Sequence, residues 1–174
     1  MTLKLVPDDP KEATPAPDDT TVLARVLVVD DEAAIRTALS RFLKMRGFHA
    51  VPVASGAAAL EAMQQQHFEA MVSEVRMPGM TGLELIARAL AKEPDLAIVM
   101  LSAVNDAITA STALSRGASN YLVKPIELTD LHRAVVESLA RRQRAIDQRR
   151  SEQQAQADLA RQLEEIDRDR SSLQ

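Results

Sequence analysis

A chain of 174 residues has room for one domain with a full core plus tails, and hardly for two domains of ordinary size. Its net charge of −4 argues against a strongly basic nucleic-acid binder, and the lack of cysteine excludes a disulfide framework, a thiol nucleophile and a cysteine-based metal site. With 46% apolar but only 2% aromatic residues, the core of a folded domain has to be filled by Ala, Val, Leu, Ile and Met.

The start, MTLKLVPDDP, lacks the apolar run of a signal peptide, and no later stretch is apolar enough to span a bilayer. A cytoplasmic location with no membrane partner is therefore expected. Residues 1–22 set Pro7, Pro10, Pro15 and Pro17 among Asp8, Asp9, Asp18 and Asp19. Such a segment has too little apolar surface to offset its ordering entropy and reads as a flexible leader. A β-rich run follows, Val26-Leu27-Val28-Val29, ending at Asp30-Asp31. Next comes a helical stretch with Ile35, Leu39, Phe42 and Leu43 on one face and Gly47 placed to terminate it. The alternation repeats with a run from His49 to Val53, a helix over about 56–66, and a run from Ala70 to Ser73. A third helix starts near Gly82 and carries Leu83, Leu85, Ile86 and Leu90. A fourth run, Ala97 to Leu101, precedes a helix over about 105–116 closed by Gly117. The fifth run is Tyr121-Leu122-Val123, and a last helix begins near Glu127 and continues without Gly or Pro. Five βα units with nearly continuous apolar strands imply an α/β fold, a doubly wound five-stranded parallel sheet covered by helices on both faces.

Parallel α/β sheets carry their chemistry at the carboxyl ends of the strands. Here the first strand ends at Asp30 and Asp31, the third at Glu74, the fourth at Ser102 and the fifth at Lys124-Pro125. Each has an ordinary reading on its own: Asp31 as a helix N-cap, Ser102 as a turn residue, Lys124 as a solvated lysine, Glu74 as a strand-end charge. Together they are more specific, because four ordinary readings would have to coincide at four strand ends. Carboxylates packed together repel, and a hard divalent cation such as Mg²⁺ relieves that while leaving positions for a phosphoryl oxygen. The lysine and the hydroxyl would supply further donors to phosphoryl oxygens.

The segments VLVVDDEAAIR, SEVRMPGMTGLEL, VMLSA and NYLVKP, in that order and at suitable spacing, resemble the receiver domain of two-component response regulators over about residues 24–138. The resemblance implies a flavodoxin-like sheet of order 2-1-3-4-5 with an extended C-terminal helix. It divides the chain into a leader (1–22), a receiver domain (23–138) and a helical extension (139–174). It assigns Mg²⁺ to Asp30, Asp31, the residue at 74 and the backbone carbonyl of Arg76. Ser102 becomes the switch hydroxyl, with small Ala103 beside it leaving access, and Lys124 the partner of the phosphoryl group, its bond to Pro125 cis. Tyr121 becomes the aromatic switch residue, against an alternative reading as a half-buried core aromatic. The implied partner is a histidine kinase or phosphotransfer protein, and the module itself is not an enzyme.

One position departs from the family: the phosphoacceptor aspartate is replaced by Glu74. The added methylene moves the carboxylate by about 1.5 Å. Since a misplacement near 1 Å can cost on the order of 100-fold in rate, efficient phosphorylation is not expected. The longer side chain instead reaches toward Lys124 and Ser102, partly imitating the phosphorylated state with one charge against about two. Because every other motif residue is unchanged, a replaced aspartate is favoured over a naturally degenerate receiver.

In the tail, Leu139, Ile146, Leu163, Ile166 and Leu173 keep helical spacing, but heptad-related places hold Arg142, Arg149, Gln153 and Gln156. A weak, parallel homodimer stalk through Leu139, Ile146 and Leu163 is one expectation, a charged solvated helix another. The cluster Arg141, Arg142, Arg144, Arg149 and Arg150 has no helix-turn-helix pattern after it, so nucleic acid is not the expected partner. His49, His67 and His132 show no ligand spacing and read as surface or packing residues. Three functions stand side by side. They are a signalling switch with Glu74 as a phosphomimetic or inactive acceptor, a fragment of a larger regulator whose output domain (cyclic-dinucleotide enzyme, kinase or DNA-binding) is missing, and an enzyme of the haloacid-dehalogenase type. The last is disfavoured, because its Asp-x-Asp nucleophile arrangement is absent: Glu32 and Ala33 follow Asp30-Asp31.

Overall fold

The computed structural model describes residues 22–103 and 105–172. The expected leader lies outside them, apart from Val22, and so does Leu173. Five strands, β1 (Arg25–Val29), β2 (His49–Val53), β3 (Ala70–Glu74), β4 (Ala97–Ser102) and β5 (Asn120–Val123), alternate with five helices. These are α1 (Ala33–Met45), α2 (Gly56–Gln65), α3 (Gly82–Lys92), α4 (Ala107–Ser115) and α5 (Leu128–Ser172). All strands pair in parallel, in the order β2-β1-β3-β4-β5. The doubly wound sheet expected from the βα alternation is the one found.

Strand alternation splits the core into two layers. Leu27 and Val29 of β1 face one side, with Met71, Ile98 and Met100, against Ala59, Met63, Leu85, Ile86 and Ala113 of α2, α3 and α4. Val26 and Val28 face the other, with Val72, Val99 and Leu101, against Leu39 and Leu43 of α1 and Leu131 and Val135 of α5. Both faces of the central strands are covered, which is why β3 and β4 are buried along their whole length. Phe68, Met71 and Met100 are among the largest fully buried side chains, so methionine and aliphatics do the filling that the scarcity of aromatics demands. Gly47 (φ +88°) and Gly117 (φ +109°) end α1 and α4 in the left-handed region, where a Cβ would be strained.

The last helix departs from expectation in one respect. Leu139 does not lie along a stalk. It is partly buried against the second core layer, as are Ile35 and Phe42. The helix stays in touch with the domain to Arg149, which pairs with Asp95 before β4. Every residue from 151 to 171 is exposed. Among the described residues no helix is long and apolar enough to cross a membrane. His132 stands edge-on to Phe42 and Phe48, and His67 sits at the surface with Glu93, as packing and surface residues.

Candidate functional site

The register brings the strand ends to one edge. Glu74 is level with Leu101, and Ser102 with Val123, so the residues following β1, β3, β4 and β5 share the carboxyl rim of the sheet. Asp30 and Glu74 are buried there, 1% and 5% exposed. Lys124 Nζ bridges them, 3.0 Å from Asp30 Oδ2 and 2.5 Å from Glu74 Oε2. The lysine is held in place by its backbone N–H, which donates to the Ser102 carbonyl at 2.8 Å. The peptide bond between Lys124 and Pro125 is cis.

The remaining carboxylate oxygens are also engaged. Glu74 Oε1 accepts from the backbone N–H groups of Val75 (2.8 Å) and Arg76 (3.1 Å). Asp30 Oδ1 accepts from Glu32 N–H at 2.9 Å. Burial of the ammonium acts to lower the Lys124 pKa, but the hydrogen bonds and charges of Glu74 and Asp30 outweigh it, and the pKa lies above the ordinary lysine value.

Several expected residues sit differently. Asp31 is exposed and stands outside the buried group, and it does not cap α1. The cap position is Glu32, with no side-chain capping bond. Of the residues expected around a metal, Asp30 and Glu74 are brought together through Lys124, while Asp31 is exposed. Among the described residues no three of Asp, Glu, His and Cys are grouped to hold a metal. The donors are hard oxygens of the kind Mg²⁺ takes, and those of Asp30 and Glu74 are engaged by Lys124 and backbone amides. One carboxylate oxygen of Glu74 folds back onto two amides while the other meets the ammonium. Ser102 is fully buried at the end of β4 and Ala103 is exposed beside it. Tyr121 is half-buried and packs against the first core layer.

Two residues that hold the site were not singled out from the sequence. Arg36 Nη1 donates to the carbonyl of Asp30 at 2.7 Å and of Asp31 at 3.4 Å, tying the acidic loop to α1. Gly82 lies so close to β3 that an added Cβ would stand 2.1 Å from the Glu74 carbonyl oxygen and 2.9 Å from Val75 Cα. A basic residue one turn into the helix after Asp-Asp, and a glycine right after a capping threonine, were the available signals.

Comparisons with known proteins agree with this fold. The Response regulator receiver domain matches residues 26–136. Response regulator protein FleR of Pseudomonas aeruginosa is 37% identical over 118 residues, 68% of this chain and 24% of FleR. A probable transcriptional regulator, ycf27 of Cyanophora paradoxa, is 40% identical over 118 residues, 68% of this chain and 48% of that protein. The crystal structure of the chemotaxis response regulator CheY4 of Vibrio cholerae superposes with a TM-score of 0.63 at 29% identity, covering 67% of this chain and 99% of CheY4. The chain thus spans about a quarter to a half of the length of these two curated relatives.

Proposed function

The chain belongs to the response-regulator receiver family, signalling modules switched by phosphorylation, and from that premise we propose that Glu74 occupies the phosphoacceptor position and closes the phosphorylation site with an internal ion pair. The observation that carries this reading is the 2.5 Å contact from Glu74 Oε2 to Lys124 Nζ. In the family the lysine serves the incoming phosphoryl group; here a carboxylate at the end of β3, across β4 from the lysine, already holds it. Asp30 and Asp31 are the acidic pair and Ser102 and Tyr121 the switch residues in this reading. The chain is then insensitive to its histidine kinase or phosphotransfer protein and partly imitates the phosphorylated state. The imitation is incomplete, with two oxygens against three.

Incubation with acetyl phosphate and Mg²⁺, followed by intact-mass measurement, tests this. Glu74→Asp should gain one phosphoryl group and the parent chain none; equal gain by both would defeat the reading. Receivers generally use Mg²⁺ for phosphorylation, and here the ion would have to compete with Lys124 for Glu74. Binding should be weak, with amide shifts at residues 30, 31, 74 and 76 appearing only at millimolar Mg²⁺ and at lower concentration in Glu74→Asp. Shifts no larger at these residues than elsewhere would remove the metal from the proposal.

The output is homodimerisation through α5, in which every residue from 151 to 171 is exposed. A second reading, that of a receiver within a larger regulator, is favoured by the short coverage of FleR and ycf27. The transcriptional role in the name of ycf27 illustrates such an output. Full-length sequence of the parent gene discriminates the two.

A further inference from the structure

We propose that the exposed end of α5 pairs with the same segment of a second copy in antiparallel orientation, with Leu159 of one chain opposite Leu163 of the other. The proposal rests on the homodimer reading above and assigns its geometry. Leu159, Leu163 and Ile166 are 58%, 56% and 61% exposed, and their spacing of four and three puts them on one helix face. Up to Arg149 the helix is already committed to its own domain. Ser138 is buried, Arg142 and Ala145 line a groove with Leu90, Pro94 and Leu96, and Arg149 pairs with Asp95. Before about residue 150 one side of the helix is thus taken by the domain, whereas from 151 to 171 every residue is exposed and open to a partner. A lone helix of that length, polar on its other faces, is marginal in water and gains most from covering its apolar stripe.

Charge decides the orientation. On the same face, seven residues before Leu159 stands Glu152, and seven after Leu163 stands Arg170, with Gln156 and Ile166 between. In a parallel pair each heptad position meets itself, so Glu152 would face Glu152 and Arg170 would face Arg170. In the antiparallel pair with Leu159 opposite Leu163, the same step along both helices sets Arg170 opposite Glu152, twice by symmetry. It also sets Ile166 opposite Gln156. Like charges at facing positions destabilise and opposite charges stabilise. The apolar contact is short, so the dimer is a weak one.

The chain has no cysteine, so Ser171→Cys carries a single nitroxide label on the full-length protein. The antiparallel pair is centred on residue 161, and two labels at 171 then lie about 30 Å apart along the axis. A parallel pair would bring them to roughly 10–15 Å. A charge exchange gives an independent readout by sedimentation. Glu152→Arg alone should raise the dissociation constant by about tenfold, since two favourable pairs become repulsive. Glu152→Arg combined with Arg170→Glu should restore it. A short distance between labels, or no rescue in the double variant, overturns the antiparallel arrangement while dimerisation stands. A monomer from micromolar to near-millimolar concentration overturns both.

Discussion

Lys124 has a carboxylate on each side, and the side chains of Asp30, Glu74 and Lys124 are only 1%, 7% and 15% exposed. Removing one member of such a group leaves charge buried without its counterion, which costs more than the pair contributes when complete. Lys124→Met is expected to destabilise the protein by about 3 kcal/mol in urea unfolding. A loss under about 1 kcal/mol would show the group behaving as a solvated surface pair. The pH dependence has a definite sign. A lysine whose pKa is raised on folding contributes fully below its unfolded value and loses that contribution as pH climbs through the higher folded value. The Lys124 contribution should therefore be flat near neutrality and fade only above pH 10.5, and Lys124→Met should lose less stability than the parent over that alkaline range. Asp106 has the opposite sign. The Thr109 N–H, which its carboxylate caps at the start of α4, holds its pKa below the ordinary value. Its contribution is present above pH 3.8 and is lost below it.

At the scale of elements, α3 is docked unusually close to the end of β3. Gly82 N–H donates to the Val75 carbonyl at 2.8 Å, and the Thr81–Glu84 capping box fixes the first turn of the helix. Gly82→Ala forces a methyl group against backbone at both Glu74 and Val75, neither of which can swing aside as a side chain would. A loss of about 1–3 kcal/mol is expected, with displaced amide resonances at 74–76 as the local signature. An unshifted spectrum at full stability would mean the helix can slide outward without strain. The far side of the domain has its own tie, Asp95 to Arg149 on α5. As an exposed pair it should contribute under about 1 kcal/mol to global stability. Asp95→Ala should nevertheless raise amide exchange across residues 141–150, because it removes the ion pair that holds the end of that stretch to the domain. Unchanged exchange would assign the anchoring to the groove around Leu90, Pro94 and Leu96 alone.

For the molecule as a whole, the body ending near Arg149 and the exposed helix beyond it should separate thermodynamically. Among the described residues, truncation after residue 150 removes only exposed ones, so unfolding stability should stay within about 0.5 kcal/mol of the parent while self-association disappears. Truncation near residue 140 is different in kind, because it also removes Arg142, Ala145 and Arg149 from the groove before β4. If the two truncations were equally stable, the stretch between them would be decoration rather than part of the body. This division could not be seen in the sequence. Leu139, Ile146 and Leu163 share a helical spacing, yet Leu139 belongs to the core and Leu163 faces water.

The sequence by itself determined the order of the elements, the parallel sheet and the strand ends that carry the chemistry. Alternating apolar runs and helical periods are local signals, and a parallel sheet needs each crossover helix between its strands. Only the tertiary structure decided what those side chains meet. Asp30 and Asp31 are adjacent and chemically identical, but the first turns inward to Lys124 and the second is exposed. Glu74 holds the lysine and two amides, partners that no local pattern names. Arg36 and Gly82 act through groups far along the chain or across an interhelical gap that no local pattern describes. The physical reason is the same in each case. Period and composition fix the direction of the backbone, whereas a side chain's partner depends on packing between segments distant in sequence.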